Sequence, residues 1–416
     1  MDPDQAVLAG LKVIDCATYV AGPAAATILS DFGADVIKIE RPPDGDLWRT
    51  FSSVPGYPST DFHYTWLLTS RNKRSIVLDL TKNTGRAALL KLVAGADVFV
   101  TNFQPSLLAK FQLTWEDLKP VNPRLVYALI TGYGEKGEDA DAPAYDGLAY
   151  WARSGLMTSV TGADGTPAGA RPAIGDHPTA ATLFGAIMLG LYRRERSGKG
   201  SKVSTSLMAA GAWANSVDIQ AKLCAAKFPE RKPGARPMNP LIAAYPSSDQ
   251  HAMIIALLDP EREYARLCEA LGEPDLATSP LFATAQARKE NAAELHAILL
   301  SQFESKPLSH WREKFRLHDI KWSPLPTLEE AVRDPQMREC GAIVNCEYPG
   351  QGVVETVNSP IFVAESEKQK PRLPPEYGAH TRTILQEAGY SAAEIERLIQ
   401  SGAAVAPTRN KSHATG

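Results

Sequence analysis

The stretch LKVIDCATYVAGPAAATILSDFGADVIKIE, residues 11–40, contains two different hydrophobic periodicities. LKVIDC (11–16) and ADVIKIE (34–40) are short apolar runs, typical of buried strands. The small apolar segment from Pro23 to Phe32 predicts a helix, and Gly33 is a suitable residue to end it. A strand, a helix and a second strand in this order indicate a parallel pair joined by a crossover helix.

The same alternation continues along the chain. RSIVLDL (74–80), DVFVTN (97–102) and LVYALITGY (125–133) predict further strands, and TGRAALLKLVAGA (84–96) predicts a helix. The predicted fold class is therefore α/β, with helices on both faces of a parallel sheet. Ligands of such sheets bind beyond the carboxyl ends of the strands. The loop after the first strand, ATYVAGP, lacks the G-x-G-x-x-G pattern, so a nicotinamide dehydrogenase is not supported.

The bulk composition is that of an ordinary globular protein. The chain has 416 residues, which suggests two or three domains, and is 44% hydrophobic and 22% charged. A formal net charge of −3 points to neither nucleic acid nor an anionic membrane as a partner. The N-terminus lacks a secretory pattern, and no apolar stretch approaches the roughly 18 residues of a membrane span. We therefore expect a cytoplasmic protein.

The cysteines and histidines predict neither a disulfide framework nor a metal site. The five cysteines are odd in number and include no C-x-x-C pair, and the eight histidines form no H-E-x-x-H motif. We accordingly expect no metal and no prosthetic group.

The composition and hydrophobic periodicity of the chain change several times in its second half. PTAATLFGAIMLGLYRR (178–194) is apolar nearly all round and predicts a buried helix. KVSTSLM (202–208) predicts a strand, and the Pro-rich basic segment 225–241 predicts a linker. LIAAYPSSDQHAMIIALL (241–258) is typical of a hairpin, and ARKENAAELHAILLSQF (287–303) predicts a helix.

The last hundred residues suggest short elements. AIVNCEY (342–348) and GVVETV (352–357) predict strands, and 380–388 and 392–400 predict amphipathic helices. The predicted organisation has four parts: 1–224, the first part of a large domain; 225–327, a linker and small domain; 328–405, a return that completes the large domain; and 406–416, a disordered tail.

In order and spacing, these segments resemble the class III coenzyme A transferase family, which includes formyl-CoA and carnitine transferases and the 2-methylacyl-CoA racemases. The resemblance runs from about residue 8 to about residue 400. It is carried by residues 11–49 and by NKRSIVLDL (72–80), TNFQP (101–105), GYGEKG (132–137), AIGDHPTAATLFGAIMLGLYRRERSGKG (173–200), WSPLPTLEEAVRDPQMRECGAIV (322–344) and PPEYGAHTRTILQEAGY (374–390).

The resemblance has consequences for architecture. It implies a Rossmann-like large domain built from both chain ends and a smaller α+β domain between them. It also implies a homodimer in which two ring-like chains interlock. The implied partners are an acyl-CoA donor and a carboxylic acid acceptor, with coenzyme A and acyl-CoA as substrates.

The resemblance places the catalytic carboxylate of the family at Asp176. In the family, this carboxylate forms a mixed anhydride and then a thioester with coenzyme A. An unperturbed aspartate is ionised at pH 7 and needs no base. From its position alone, before an apolar helix, Asp176 is equally suited to be a helix N-cap, and the two roles can coexist. Gly175 beside it would let a thioester approach closely, or would simply form a turn.

The resemblance also implies a coenzyme A site at the strand ends. Arg41 matches a phosphate-binding arginine, although it could be a solvated surface residue, and Lys110 stands where some members carry arginine. Val20 and Ala21 match the loop beside the thioester, where core packing is an equal interpretation. The remaining matches, several of them through the backbone, are Leu78, Asp79, Leu80, Thr81, Asn102, Phe103, Gln104, Tyr145 and Asp146.

Two departures leave open how the phosphates are held. Thr81 and Pro143 stand where the family has lysines. Arg71, Lys73 and Arg74 could compensate, although a run of charges is usually a solvated face.

Tyr145 bears on the choice of reaction. In the racemases this position is a histidine that exchanges the alpha proton together with an aspartate. Tyrosine, with a pKa near about 10, is a poor base at pH 7, so the sequence favours transfer over racemisation. His177 is next to Asp176 but need not face the substrate. A 2-methylacyl-CoA racemase or related isomerase and a non-catalytic coenzyme A-binding module remain the alternatives.

A glycine-rich loop that closes over the site in some transferases has no match between residues 225 and 260. This argues against an enzyme specific for formate or oxalate.

Overall fold

The structure, a computed structural model, describes residues 6–60, 62–160, 166–167, 171–228, 239–348 and 352–407. Most of the predicted linker (229–238) and tail (408–416) lie outside the described residues. The chain divides into two compact units. The first contains the described residues up to 228 and those from 341 onward, and the second contains those from 239 to 340. The domain boundaries suggested by changes in sequence composition stay predictions.

The strands are β1 (Lys12–Cys16), β2 (Asp35–Glu40), β3 (Arg74–Leu78), β4 (Val98–Thr101), β5 (Val126–Thr131), β6 (Ser201–Ser206), β7 (Ile242–Pro246), β8 (Ala252–Ala256), β9 (Trp322–Pro324), β10 (Ile343–Tyr348), β11 (Gly352–Val357) and β12 (Ala404–Val405).

The helices are α1 (Ala21–Asp31), α2 (Tyr64–Ser70), α3 (Asn83–Ala94), α4 (Pro105–Phe111), α5 (Trp115–Leu118), α6 (Leu156–Ser159), α7 (Asp176–Ser197), α8 (Leu207–Ala214), α9 (Ser216–Leu223), α10 (Pro260–Leu271), α11 (Ala285–Glu290), α12 (Ala292–Glu304), α13 (Leu308–Leu317), α14 (Leu328–Ala331), α15 (Pro335–Glu339), α16 (Thr381–Glu387) and α17 (Ala392–Gln400). Short 3₁₀ segments occur at Leu47–Ser53 and Pro274–Ala277, and a π-helical turn at Gly147–Ala152.

The first unit is built on a seven-stranded sheet with the order β12-β3-β2-β1-β4-β5-β6. The strands β1 to β6 are parallel, and only β12 pairs antiparallel, with β3. The predicted α/β class with a mainly parallel sheet is confirmed. The strands β1 to β5 are largely apolar because both faces of the sheet are covered there, whereas the edge strand β6 is mostly polar.

Successive strand residues enter two separate cores. Val13 and Val126 belong to the core under α1 and α7, whereas their neighbours Ile14 and Tyr127 belong to the core on the opposite face. This second core also receives residues of α3, α16 and α17, so the C-terminal segment completes the packing of the N-terminal strands. The alternation follows from the two-residue period of a strand.

The prediction that helix 178–194 is buried all round is wrong for the single chain. One face of α7 packs on α1, β5 and β6, where Gly190 lets the helix approach Val126 closely. The other face leaves Leu189 and Tyr192 70% and 63% exposed. The apolar content of the helix therefore exceeds what this chain buries.

The second unit holds the antiparallel sheet β7-β8-β9 and the helices α10 to α15. The hairpin expected at 241–258 is confirmed as β7 and β8. The single helix expected at 287–303 is in fact two helices, α11 and α12, with a break at Asn291. The Asn291 amide donates to the carbonyl of Leu281, an example of an asparagine side chain competing with helical hydrogen bonds.

Candidate active site

The carboxyl edge of the parallel sheet brings the candidate loops together. The helices α1 and α7 pack against each other, and both run antiparallel to the strands, since α1 follows β1 and α7 precedes β6. Their N-termini therefore lie at the same edge, and Phe32, just after the end of α1, stacks on Phe184 in the first half of α7 with ring centroids 6.2 Å apart. Asp176, the first residue of α7, lies at this edge.

Asp146 supports the turn that carries Asp176. The carboxylate of Asp146 is 6% exposed and accepts the Gly175 N–H through both oxygens, at 3.0 and 3.1 Å. Burial raises the pKa of Asp146, and the N–H groups of Gly175, Ala173 and Ile174 partly offset this. The segment 144–146 is thus fixed to the start of α7.

The carboxyl group of Asp176 is not an ordinary aspartate. Burial, and then the nearby charge of Asp146, raise the pKa of Asp176 to about 7. The expectation of an unperturbed, fully ionised carboxylate is therefore wrong. At pH 7 a substantial fraction of Asp176 in the free protein carries a proton.

Gly175 is required by packing inside the protein. A Cβ atom at this position would lie 2.2 Å from Cγ of Tyr150 and 2.3 Å from Oδ1 of Asp146. The backbone φ of Gly175 is −85°, which any residue adopts, so turn geometry does not explain the glycine. That the glycine also admits a thioester stays a prediction.

The loop between β1 and α1 is tied to the end of β4. The side-chain amide of Asn102 donates to the Thr18 carbonyl at 2.8 Å and accepts the Thr18 N–H at 2.9 Å. The side chains of Val20 and Ala21 are buried in the core under α1. For Val20 and Ala21, the core-packing interpretation of the side chains is correct, and their backbone lies at the carboxyl edge.

The residues after Asn102 link neighbouring loops. Phe103 lies beside Phe111 with ring centroids 6.5 Å apart, and the Gln104 amide donates to the Asp141 carbonyl at 2.9 Å. These contacts connect the end of β4 to α4 and to the loop that leads to Asp146.

The segment after β3 offers mainly backbone. Leu78 is fully buried and Leu80 is half-buried against the same core. Oδ1 of Asp79 accepts the Thr81 N–H and hydroxyl at 3.0 and 2.6 Å, which closes a tight turn and leaves Thr81 exposed. The antiparallel strand β12 covers this segment, with the Asp79 N–H donating to the Ala403 carbonyl.

Two predicted cations are exposed at this edge. Nε of Arg41 donates to the Gly45 carbonyl at 3.4 Å, and Lys110 lies in the last turn of α4, over the Phe111 ring. Within the described part of the chain, neither is within salt-bridge distance of a carboxylate.

For the buried Arg71 and Lys73, both ideas are wrong, replacement of the missing lysines and a solvated charged face; Arg74 is only half-buried, and its partners Asp35 and Glu387 are partly exposed. All three already pair with carboxylates. The bonds are Arg71 Nη2 to Asp31 Oδ2 at 2.7 Å, Lys73 Nζ to Asp15 Oδ2 at 2.8 Å, and Arg74 Nη2 to Asp35 Oδ2 at 2.5 Å.

Sequence reasoning missed a buried ionic cluster beneath the loop after β1. Lys38 Nζ lies 2.8 Å from Oδ2 of Asp46 and 3.8 Å from Oδ1 of Asp15, and all three side chains are almost completely buried. Lys73 pairs with the other oxygen of Asp15. A signal existed, since Asp15 and Lys38 interrupt apolar strand runs, where an unpaired charge would be costly.

Two absences concern the described residues only. Among them, no group of three or more His, Cys, Asp or Glu side chains could hold a metal ion. None of the helices in those ranges is long and apolar enough to cross a membrane.

Comparison with known proteins agrees with the fold and shows the family. The model of CoA-transferase family III matches residues 8–381. The chain is 32% identical to cinnamoyl-CoA:phenyllactate CoA-transferase of Clostridium sporogenes, over 96% of this chain and 97% of that protein. It is also 32% identical to formyl-CoA:oxalate CoA-transferase of Escherichia coli O157:H7, over 95% and 99%.

A solved structure gives the same result. The crystal structure of a CaiB/BaiF family protein from Brucella suis superposes with a TM-score of 0.80 at 30% identity, covering 92% of this chain and all of that one. The parallel α/β sheet, the matched family model and these relatives together define the class. The chain belongs to CoA-transferase family III and is an enzyme of the CoA-transferase type.

Proposed function

We propose that this enzyme moves coenzyme A from an acyl-CoA to a carboxylic acid through covalent intermediates on Asp176. The observation that carries the proposal is the environment of Asp176. Asp176 is the first residue of α7 and lies at the carboxyl edge of the sheet, and the pKa of its carboxyl group is raised to about 7. Perturbed carboxylates in such positions are typical of reacting groups.

The proposed reaction runs through two kinds of intermediate. A carboxylate oxygen of Asp176 attacks the thioester carbonyl, and expulsion of the CoA thiolate leaves a mixed anhydride. The thiolate then attacks the aspartyl carbonyl, which releases the donor acid and leaves an aspartyl thioester. The acceptor carboxylate attacks this thioester and again expels the thiolate. Attack of the thiolate on the new acyl carbonyl yields the product acyl-CoA and regenerates Asp176.

The surroundings of Asp176 favour acylation. An ionised Asp176 is disfavoured by burial and by repulsion from Asp146. Forming the anhydride or the thioester removes that charge, so both covalent states relieve the repulsion. The N–H groups of His177 and Thr179 already donate to the carbonyls of Ala173 and Gly175, and Pro178 has no N–H, so what α7 offers is the positive end of its dipole, which stabilises negative charge on the carbonyl oxygen.

Coenzyme A would occupy the same edge. Arg41 and Lys110 are exposed cations without carboxylate partners among the described residues, and are suited to phosphate. The backbone of 78–81 would contact the adenine. The end of β4, from Asn102 to Gln104, would line the nucleotide. Tyr145 and Asp146 would lie closer to the thioester.

Racemisation is the alternative reaction. Tyr145 stands at the position where the racemases carry the histidine that serves as second base. The pKa of His177, the residue after Asp176, is lowered by burial and then by Arg71. His177 is therefore neutral at pH 7, but it follows Asp176 directly on the same helix turn. Asp176 and His177 therefore do not provide two bases on opposite faces of the alpha carbon.

Trapping the thioester tests the proposal. The enzyme is incubated with acetyl-CoA and, separately, with succinyl-CoA, and intact mass and peptide mapping are recorded. We expect a coenzyme A adduct on Asp176 that hydroxylamine removes, retained in the control variant Asp275→Ala at an exposed carboxylate of the second unit. Deuterium entry at the alpha carbon of a 2-methylacyl-CoA without any adduct would support the racemase instead.

We also propose that the enzyme is an interlocked homodimer. The described surface carries exposed apolar side chains on three consecutive helices: Leu189 and Tyr192 on α7, Trp213 on α8, and Val217 and Leu223 on α9. Apolar patches of this kind are typical of interfaces. We expect light scattering to give twice the chain mass, and Trp213→Glu to weaken the dimer. A monomeric wild-type enzyme would contradict the proposal.

A further inference from the structure

Tyr19 adopts a backbone conformation that is unfavourable for its side chain. Its φ is +62°, in the left-handed region that glycine and asparagine tolerate and aromatic residues rarely adopt. Such outliers persist only when the surrounding structure enforces them, and they cluster at functional sites.

Side chains from other elements enforce this conformation. Lys38 donates to the carbonyl of Ala17, and Oδ1 of Asp46 accepts the Tyr19 N–H at 3.1 Å. The intervening Thr18 is held by Asn102 through both its N–H and its carbonyl. Three consecutive residues are thus fixed from outside the loop.

The ring of Tyr19 meets that of Tyr145. The two rings lie edge to face, with centroids 6.1 Å apart and an interplanar angle of 86°. Tyr19 is half-buried, whereas Tyr145 is 60% exposed. The next residue, Asp146, binds the N–H of Gly175, so the pair lies close to the start of α7.

The chain makes room for this arrangement at the end of β5. A Cβ atom on Gly132 would lie 2.1 Å from the Cβ atom of Ala144. Glycine therefore lets the segment carrying Tyr145 approach the strand end closely. Hydrogen bonds to its backbone thus hold Tyr19 at the carboxyl edge, and the close approach of Gly132 and Ala144 holds Tyr145 there.

We propose that Tyr19 determines substrate specificity. With Tyr145 it forms an aromatic wall beside Asp176, on which the acyl group of the substrate packs. The preferred acids are those with an aromatic or flat unsaturated group near the carboxyl. This inference rests on the proposed transfer reaction through Asp176.

Aromatic contact accounts for such a preference. An aromatic pair contributes enough to change a rate constant by about two- to tenfold beyond simple burial. A small dicarboxylic acid would instead require a cation for its second carboxylate. The buried cations Lys38 and Lys73 are already paired with Asp46 and Asp15, and the exposed Arg41 is assigned above to a phosphate of coenzyme A.

The test compares two thioesters in the first half-reaction. The rate of adduct formation on Asp176 is measured with 3-phenylpropionyl-CoA and with succinyl-CoA. We expect the wild type to react faster with the phenyl ester. Tyr19→Asn, which accepts the left-handed backbone but lacks the ring, should lower the ratio of the two rates about five- to tenfold. Tyr19→Phe keeps the ring and should change the ratio less than about twofold.

The controls separate this inference from loss of structure. If Tyr19→Asn fails to fold, Tyr145→Ala replaces it as the ring-removal variant. It truncates a mostly exposed ring and should lower the ratio of the two rates by a similar factor. Tyr390→Asn removes a ring that packs near Lys91, away from this edge, and should leave the ratio unchanged.

Three results would overturn the inference: a wild type that prefers the succinyl ester, an unchanged ratio in the folded ring-removal variant, or an equal loss in Tyr19→Phe. Any of these with an adduct still on Asp176 leaves the transfer mechanism standing. Absence of the adduct with every ester would instead reject the transfer mechanism.

Discussion

Carboxylates shielded from solvent, fully or in part, occur in two contrasting settings within the first unit. Asp31 and Asp15 are completely buried, and each faces a cation at hydrogen-bond distance, Arg71 and Lys73 respectively. Asp176 instead has another carboxylate, Asp146, as the charge that perturbs it. The first setting places an opposite charge against the carboxylate, whereas in the second, burial and a like charge disfavour the ionised form of Asp176.

The contrast shows how similar residues serve different purposes. A paired carboxylate in the core fixes the geometry of the fold and is chemically inert. A carboxylate held beside a like charge at a sheet edge remains available to react. The following experiments would sharpen or break this distinction.

The largest effect is expected for Asp176→Ala. Loss of the nucleophile should reduce kcat by at least about 10³-fold, because no other group can form the covalent intermediates. Affinity for coenzyme A should stay within about threefold, measured by calorimetry, since the phosphate contacts remain. Acyl exchange followed by mass spectrometry provides the rate. Turnover like that of the wild type would remove Asp176 from the mechanism.

Asp31→Ala should damage stability instead of chemistry. Removing this partner leaves the Arg71 guanidinium buried and uncompensated, which costs about 3–5 kcal/mol of unfolding free energy. Urea denaturation gives the value. The control Glu396→Ala, from the exposed pair with Arg382, should lose less than about 1 kcal/mol. Equal losses in both variants would contradict the distinction between buried and exposed pairs.

The pH dependence tests the Asp146–Asp176 repulsion. Asp176 must be deprotonated to attack, so kcat/KM should rise as the pH passes through about 7. Asp146→Asn removes the like charge and lowers the pKa of Asp176, which should move the rise to lower pH. A profile that does not shift in this variant would show that burial alone perturbs Asp176.

The smallest effect is expected for Arg41→Ala. Loss of one exposed phosphate contact should raise KM for acyl-CoA about three- to tenfold and leave kcat nearly unchanged, measured in steady-state assays. Arg262→Ala, at an exposed arginine of the second unit, serves as the control. An unchanged KM would remove Arg41 from the site.

The order of β1, α1 and β2 could be predicted because buried parallel strands are continuous apolar runs with recognisable breaks. The antiparallel strand β12 could not, since two residues carry no periodic signal. The exposed face of α7 was also missed, because an apolar pattern does not reveal what covers it.

The same division holds at the site. The motif around Asp176 was sufficient to propose the nucleophile, whereas the raised pKa depends on burial in the folded chain and then on Asp146, from a different segment. The strained Tyr19 gave no signal at all, since its conformation depends on Asp46 and on the buried Lys38.

By itself, the sequence determined the α/β class, the family and the candidate nucleophile, because local apolar periodicity and motif spacing are properties of the linear chain. Tertiary structure alone decided which charges are neutralised, which carboxylate is left beside a like charge, and which aromatic ring is held at the edge of the sheet. These depend on distances between segments far apart in sequence, and electrostatic energies follow distance and burial instead of residue order.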